Sequence, residues 1–392
     1  MDRRLFLLAL GAFATSTVAF VFAGLLPLIA EDTGISVAQA GYLVSAFSLA
    51  YAIGTPVLSA LTGALDRRRV IGIALLFFIA GNVAAGASTS MLPLFLAQVV
   101  MGAAAGLFAA TAQATAVLLA GPERRAAAIS AVVGGTTFAV ALGAPAGSMF
   151  AQFVGWRGEF LALAVIGTLC LAALWLRLPH GLSTASSTLL ERVMVVRRPG
   201  VLPAIAVTFL YLTGAFAIIS YLGPLAIEGA GLSREVLPFV LLAYGAGAIL
   251  GNYASGRIAD RLGPTRVVTF SMLAAMTFAL ILAAVAGWAP DGVAGPLLIA
   301  LMVPWGFVGW TFPPAQASRL VGAAPDVAHL TLALNASAIY FGIGFGTLIG
   351  GRALEVAGVG SLGIVGAVFT VAALLLLAAR RRSSAEPLAA GT

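Results

Sequence analysis

Gly256-Arg257-Ile258-Ala259-Asp260-Arg261-Leu262-Gly263-Pro264-Thr265-Arg266-Val267 is one of two related stretches in this chain. The other is Gly63-Ala64-Leu65-Asp66-Arg67-Arg68-Arg69-Val70. Each follows a long apolar run and precedes another. Their acids, Asp66 and Asp260, stand 194 positions apart in 392 residues. An internal repeat of that length in an apolar chain predicts a membrane protein of two similar halves, the organisation of many transporters.

Composition supports the membrane setting. Hydrophobic residues make up 61% of the chain and charged residues 9%, with a mean hydropathy of +1.07. A soluble domain carries about 25% charged residues, so this chain has too little polar surface to be soluble. A spanning helix needs about 20 mostly apolar residues. Twelve such runs are present: 5–29, 40–63, 70–87, 92–119, 126–150, 160–178, 201–222, 236–255, 267–286, 296–317, 328–350 and 361–379. They are continuous rather than alternating, which favours helices over a barrel. The start, Met1-Asp2-Arg3-Arg4 before an apolar run, has the look of a signal peptide or a twin-arginine signal. The run continues to Gly24-Leu25-Leu26-Pro27 without a cleavage site, so an uncleaved first helix is expected.

The charges test the count. All 21 basic residues are Arg. With the N-terminus in the cytoplasm and twelve alternations, 18 of them fall on the cytoplasmic side and three outside, namely Arg157, Arg234 and Arg352. The acids divide seven and seven. A positive-inside bias counts Lys and Arg, so both termini are expected in the cytoplasm of a bacterial cell, with the chain in its inner membrane. The pI near 10.3 then reflects topology, and no nucleic-acid partner is implied. Cys170, the single cysteine, lies in the sixth run, where core packing is its expected role.

The longest polar interval, 179–200, holds His180, the cluster Ser183, Thr184, Ser186, Ser187 and Thr188, and the pairs Glu191-Arg192 and Arg197-Arg198. It divides the chain into an N-terminal six-helix bundle (1–178), a cytoplasmic linker (179–200) with a short surface helix at 189–196, a C-terminal six-helix bundle (201–379) and a cytoplasmic tail (380–392).

Motif by motif, the chain resembles the major facilitator superfamily, within it the drug/proton antiporter and sugar-efflux (arabinose efflux permease-like) branch. That family carries Gly-x-Leu-Ala-Asp-Arg-x-Gly-Arg between helices two and three and a weaker copy between eight and nine. Here the second copy, with Gly256, Asp260, Arg261 and Arg266, is the more complete; the first keeps Gly63, Asp66 and Arg67. The resemblance implies an all-α membrane fold of twelve helices in two pseudo-symmetric bundles. An Asp at the end of helix two sits badly with that helix's own dipole and well against a neighbour's N-terminus. The resemblance points Asp66 to the start of helix eleven (326–329). By pseudo-symmetry Asp260 would meet the start of helix five, near Glu123 and Arg124. Such contacts would latch the cytoplasmic gate. In helix five, Gly135, Gly143, Pro145 and Gly147 resemble the family's antiporter motif, with Ala144 where Gly is frequent. Helix eleven has its own ridge of Gly342, Gly344, Gly346, Gly350 and Gly351. Small residues let backbones approach closely, and rocking of helices five and eleven at these contacts is the gating expectation. Gly155-Trp156-Arg157 with Phe160 is read as a periplasmic anchor.

No ionisable residue falls near a helix centre, where buried charges usually mark ion pathways. The family's helix-four Arg is replaced by Gln98, and an acid frequent in relatives five residues before Gly24 is replaced by Ala19. Proton coupling is left to rim acids: Glu31, Asp32 and Glu159 outside, Asp66 and Asp260 inside. The resemblance lines a central cavity with helices one, four, seven and ten, flanked by two, five, eight and eleven. Their mid-membrane polar or aromatic positions are neutral, and Tyr51, Gln113, Tyr211, Trp305, Asn335 and Tyr340 are the chosen substrate-binding candidates. Such a lining suits a small neutral or amphipathic solute. Pro304, Pro313 and Pro314 in helix ten are expected hinges.

The expected function is secondary active transport, exporting a drug-like compound, sugar or nucleoside by alternating access, with proton exchange left open. An uncoupled facilitator is the alternative. A polytopic enzyme or sensor is the rival class. Two His, no acid-rich motif, no phosphate-cradling loop and no long soluble segment argue against an enzyme, a primary pump and a sensor. No cofactor or metal is expected. The partners are the solute, membrane lipid and, if coupled, protons, and the working unit is a monomer.

Overall fold

The computed structural model describes residues 3–182, 189–290 and 292–385. The Ser/Thr cluster of the linker and the last seven residues lie outside the described residues, as do the side chains of Arg192 and His329.

The described residues are almost all helical. α1 is Arg3–Thr33, α2 Val37–Leu61, α3 Arg67–Gly86 and α4 Met91–Ala120. The next helix, Arg125–Phe138, passes through a wide turn at Ala139–Gly143 into Ala144–Arg177. That last segment turns over at Gly155 (φ 74°, ψ 167°), a conformation open mainly to glycine. Residues 125–154 are therefore α5 and 156–177 are α6. The second half has α7 (Val201–Ile219), α8 (Leu237–Leu262), α9 (Pro264–Trp288), α10 (Ala294–Ala323), α11 (Ala328–Ala357) and α12 (Ser361–Ala385). Among the described residues eleven helices are long and apolar enough to cross a membrane, and the longest, Ala127–Arg177, holds α5 and α6. Twelve crossings return the chain to its starting side, here the terminal face; the other is the opposite face.

Local chemistry sets the ends. Ser36 and Gln39 close a capping box on α2, satisfying two orphan amides at once. Asp66 caps α3, its Oδ1 accepting from the Arg68 amide at 2.8 Å. The cap starts α3 at Arg67 rather than at residue 70, where the apolar run begins. The wide turn in α5 carries an Ala144 N–H that donates to Ala139 O, five residues back. Pro145 follows without an N–H, so ordinary helical bonding is interrupted there. In the linker the expected surface helix is Leu189–Met194, ending in a tight turn at Val195–Arg197.

Packing repeats with an offset of six. In the first half α1 packs on α5 and α6, α2 on α4, and α3 on α4 and α6. In the second, α7 packs on α11 and α12, α8 on α10, and α9 on α10 and α12. Each half is a six-helix bundle, as the repeat predicts. Two further pairs cross between bundles, α2 with α11 and α5 with α8. Outward faces present large apolar side chains such as Phe153, Leu176 and Leu375, as lipid requires. Trp288, at the end of α9, is 87% exposed, where an interfacial ring belongs.

Candidate functional site

The cross-bundle contacts close one side of the molecule. At the opposite face the Arg234 guanidinium pairs with Glu31, and Arg234 O accepts from Gln152 Nε2 at 2.9 Å. Ser36 Oγ donates to Glu355 at 3.1 Å, and Ser45 Oγ to Gly344 O at 3.0 Å. Asp32 stays within its bundle, pairing with Arg157 and accepting from Trp156 Nε1 at 3.2 Å. Mid-membrane, Asn252 Nδ2 donates to Thr137 Oγ1 at 2.9 Å between α8 and α5. Tyr51 of α2 stacks on Tyr340 of α11 with ring centroids 3.5 Å apart.

Glycines make this closure possible, and of those expected to, only Gly344 and Gly351 of the α11 ridge take part. Gly135 meets the Ala9 backbone, Gly143 the Thr17 side chain and Gly147 the Val21 side chain, all in α1 of the same bundle. Gly342, Gly346 and Gly350 face α7, again within one bundle. Their spacing puts each set on a single helix face, and that face is turned to a fixed neighbour. The cross-bundle approaches belong instead to Gly344 against Ser45 and Leu49, Gly41 and Gly351 around the Tyr221 hydroxyl, and Gly245 against Ala141.

Between the bundles lies a cavity of about 260 Å³. Tyr51, Gln113, Tyr211, Trp305 and Tyr340, five of the six positions chosen from sequence, line it together. Its aromatic walls are layered. Tyr211 lies 4.2 Å from Phe312 and Tyr244 5.0 Å from Trp305, by ring centroids. The hydroxyls of Tyr211 and Tyr244 both approach Gly309, within 3.9 Å of where its Cβ would stand. α10 runs unbroken through all three prolines. Pro313 and Pro314 cannot donate to the carbonyls of Gly309 and Trp310, four residues back. Both of those residues line the cavity.

Asn335 stands elsewhere. It is buried, and its Oδ1 accepts from Thr208 Oγ1 at 2.7 Å. Gln316 Nε2 donates to the same Thr208 Oγ1 at 3.1 Å and to Ala204 O at 2.6 Å, while its Oε1 accepts from Arg319 at 2.6 Å. This polar ladder ties α7, α10 and α11 behind the cavity wall. Phe20 and Thr136 line the cavity and were missed. α1 is apolar all round, so no periodicity tells which face looks inward.

The first loop motif holds the linker. The Gly181 amide donates to Asp66 Oδ2 at 2.6 Å, and the Arg67 amide to Leu182 O at 2.9 Å. Arg67 Nη2 reaches Gly63 O at 3.2 Å. Arg68 bonds the His180 ring and lies 4.7 Å over Trp175. Asp66 is thus bound to the linker start, not to the α11 start. Asp326 there pairs instead with Arg198, near the linker's other end, at 3.0 Å. Burial raises the Asp66 pKa, but the Gly181 and Arg68 amides, with His180 and Arg69 nearby, outweigh it and leave the carboxyl below its usual value. Asp260, in the second copy, is exposed with no hydrogen bond or ion pair among the described residues, and Gly256, Arg261 and Arg266 are exposed beside it. No cluster of three metal-ligating side chains occurs among the described residues.

The comparisons with known proteins converge. The family model of the Major Facilitator Superfamily matches residues 8–329. The MFS-type transporter YbcL of Bacillus subtilis is 30% identical over 372 residues, covering 95% of this chain and 94% of its own. The inner membrane transport protein YdhP of Escherichia coli is 28% identical over 381 residues, covering 97% and 96%. Among solved structures, a D-xylose-proton symporter superposes with a TM-score of 0.75 at 16% identity, over 95% of this chain and 96% of that one. The nucleoside transporter NupG gives 0.74 at 14% identity, over 96% and 98%. Two six-helix bundles related by an internal repeat, a shared central cavity and a family match along most of the chain lead to one assignment: the protein belongs to the Major Facilitator Superfamily and is a transporter, not an enzyme.

Proposed function

We propose that the chain exports a small neutral or amphipathic organic solute across the bacterial inner membrane, by alternating access around the central cavity. One observation carries the reading: a cavity of about 260 Å³ lined by Tyr51, Gln113, Tyr211, Trp305 and Tyr340, with no charged residue in its wall. Rings bind apolar faces, while hydroxyls, the amide and the α10 carbonyls that Pro313 and Pro314 cannot reach orient polar groups. A multiply charged solute would find no counter-charge. The size is just below the roughly 300–1,000 Å³ of small-molecule pockets and fits a sugar, a nucleoside or a compact drug-like compound.

The bundles 1–178 and 201–379 are the moving bodies, joined by 179–200, and the terminal face is cytoplasmic, as the 18 Arg there imply. The working unit is a monomer in lipid. In this state the opposite face is sealed by the Glu31–Arg234 pair and the glycine contacts, while Asp260 awaits a partner at the terminal face. The absence of ionisable side chains from the cavity wall favours a second reading, an uncoupled facilitator. A thermal-shift panel of drugs, sugars, nucleosides and amino acids on the purified protein tests the solute class. A ligand at 100 times its Kd stabilises by about 2.7 kcal/mol, and Trp305→Ala should weaken that shift. Stabilisation only by multiply charged compounds would overturn the reading.

A further inference from the structure

Among the described residues one acid is buried. Glu159 lies one turn past the Gly155 break, at the start of α6, and is 4% exposed. Its Oε1 occupies the space a side chain at 147 would need: a Cβ built on Gly147 would stand 2.5 Å from Glu159 Oε1 and 2.7 Å from Val21 Cγ2. The niche is thus made by α1 and by the last glycine of the α5 motif. Ala144, three residues before Gly147 on α5, lines the cavity.

The charged groups at this end are engaged elsewhere. On α6, Arg157 binds Asp32 and Ser88 O. On α1, Glu31 pairs with Arg234 from the N-terminal turn of α8, and Glu235 beside it is exposed. α3 presents no ionisable group there. Glu159 itself has no hydrogen bond or ion pair among the described residues. A carboxylate in such a niche would be an unpaired buried charge, whose cost a neutral acid avoids. Meanwhile the helix-four position where the family resemblance places an Arg is Gln98, fully buried with neither amide atom partnered.

We propose that Glu159 is the proton-binding site of this transporter, held neutral in the Gly147 niche while the opposite face is closed. When the two bundles part at that face and α8 leaves α5, water reaches the carboxylate and one Oε takes a proton from hydronium, leaving water. Closure carries the neutral acid inward, and the proton returns to water admitted through the cavity. The inference rests on the transport reading and decides it for proton exchange over uncoupled movement. It also gives Gly147 a role that close helix packing alone does not: any larger residue displaces the carboxyl.

Infrared difference spectra of the purified wild type in liposomes, titrated with pH, would read the site directly. The expected result is a protonated-carboxyl C=O band at about pH 7, lost in Glu159→Gln and kept but shifted in Gly147→Ala. In parallel, the distance between spin labels at Leu92 and Val293 on the opposite face should change with pH in the wild type and stop changing in Glu159→Gln. No such band, a band indifferent to Glu159→Gln, or an undiminished pH response in that variant would each overturn the proposal. Should Glu159→Gln fail to fold, a Gly147→Ala band that does not move overturns it instead. None of these readouts needs a solute, so a failed ligand panel refutes the cavity reading without touching this one.

Discussion

Gly41→Ala should unlock the opposite face. Tyr221 is fully buried, and its hydroxyl donates to Thr347 O at 2.9 Å. That hydroxyl lies in a slot between Gly41 of α2 and Gly351 of α11. A Cβ built on Gly41 would overlap the hydroxyl and stand 2.9 Å from Cζ and 3.3 Å from Thr347 Cγ2. The tyrosine cannot retreat without giving up its hydrogen bond, and Thr347 is held by Ser220 at 2.7 Å. Overpacking of this kind costs about 1–3 kcal/mol. The cost falls only on the state in which α2 and α11 touch, so it acts as a differential between two states, equivalent to roughly 5- to 150-fold in their ratio. The assay is the distribution of distances between spin labels at Leu92 and Val293, exposed near the starts of α4 and α10. Cys170 is buried and should stay silent. The closed-state peak should shrink and a longer distance appear. Adding Tyr221→Phe removes the nearest clashing atom and should restore part of the closed population. A Gly41→Ala protein with the wild-type distribution would refute the steric argument.

Three further outcomes follow from the same contacts. Glu31→Gln removes the Arg234 ion pair; because both partners are largely exposed, the closed state should lose only about 0.2–1 kcal/mol, a far smaller change in the Leu92–Val293 distribution than Gly41→Ala gives. Asp66→Asn should lower the melting temperature at neutral pH. The folded-state pKa of Asp66 lies below the ordinary carboxylate value, so its contribution is complete above that value and lost as pH falls through the folded one; a wild-type-minus-variant difference that grows on acidification would contradict this. Pro313→Ala with Pro314→Ala restores donors to the Gly309 and Trp310 carbonyls at the cavity wall, and should impair transport of a ligand found by thermal shift while sparing membrane insertion; wild-type turnover would end the idea.

In the proposed scheme, proton binding and solute recognition occupy separate places. The cavity is neutral and aromatic, and the buried carboxyl sits one turn behind its wall. The two loop motifs also differ in this state. The first is engaged with the linker through Gly181 and Leu182, while Asp260 of the second is exposed.

Sequence alone determined the class, the number of crossings and the two-bundle plan. The bilayer imposes a one-dimensional rule: about 20 apolar residues per crossing, with Arg held on one side. A rule of that kind is read directly from order along the chain, and the repeat of Asp66 in Asp260 supplied the symmetry. Cavity candidates were legible for a related reason: in so apolar a chain the few mid-membrane polar and aromatic residues have few places to go, and Tyr51, Gln113, Tyr211, Trp305 and Tyr340 converge. Only the tertiary structure decided which way each helix face turns. Gly135, Gly143 and Gly147 face α1 rather than the other bundle, Asn335 binds Thr208 behind the wall, Phe20 looks inward, and Glu159 is buried although the sequence places it at a rim. Helices that are apolar on every side carry no periodicity to fix their rotation. That rotation is settled by close packing between helices, which exists only once they have met.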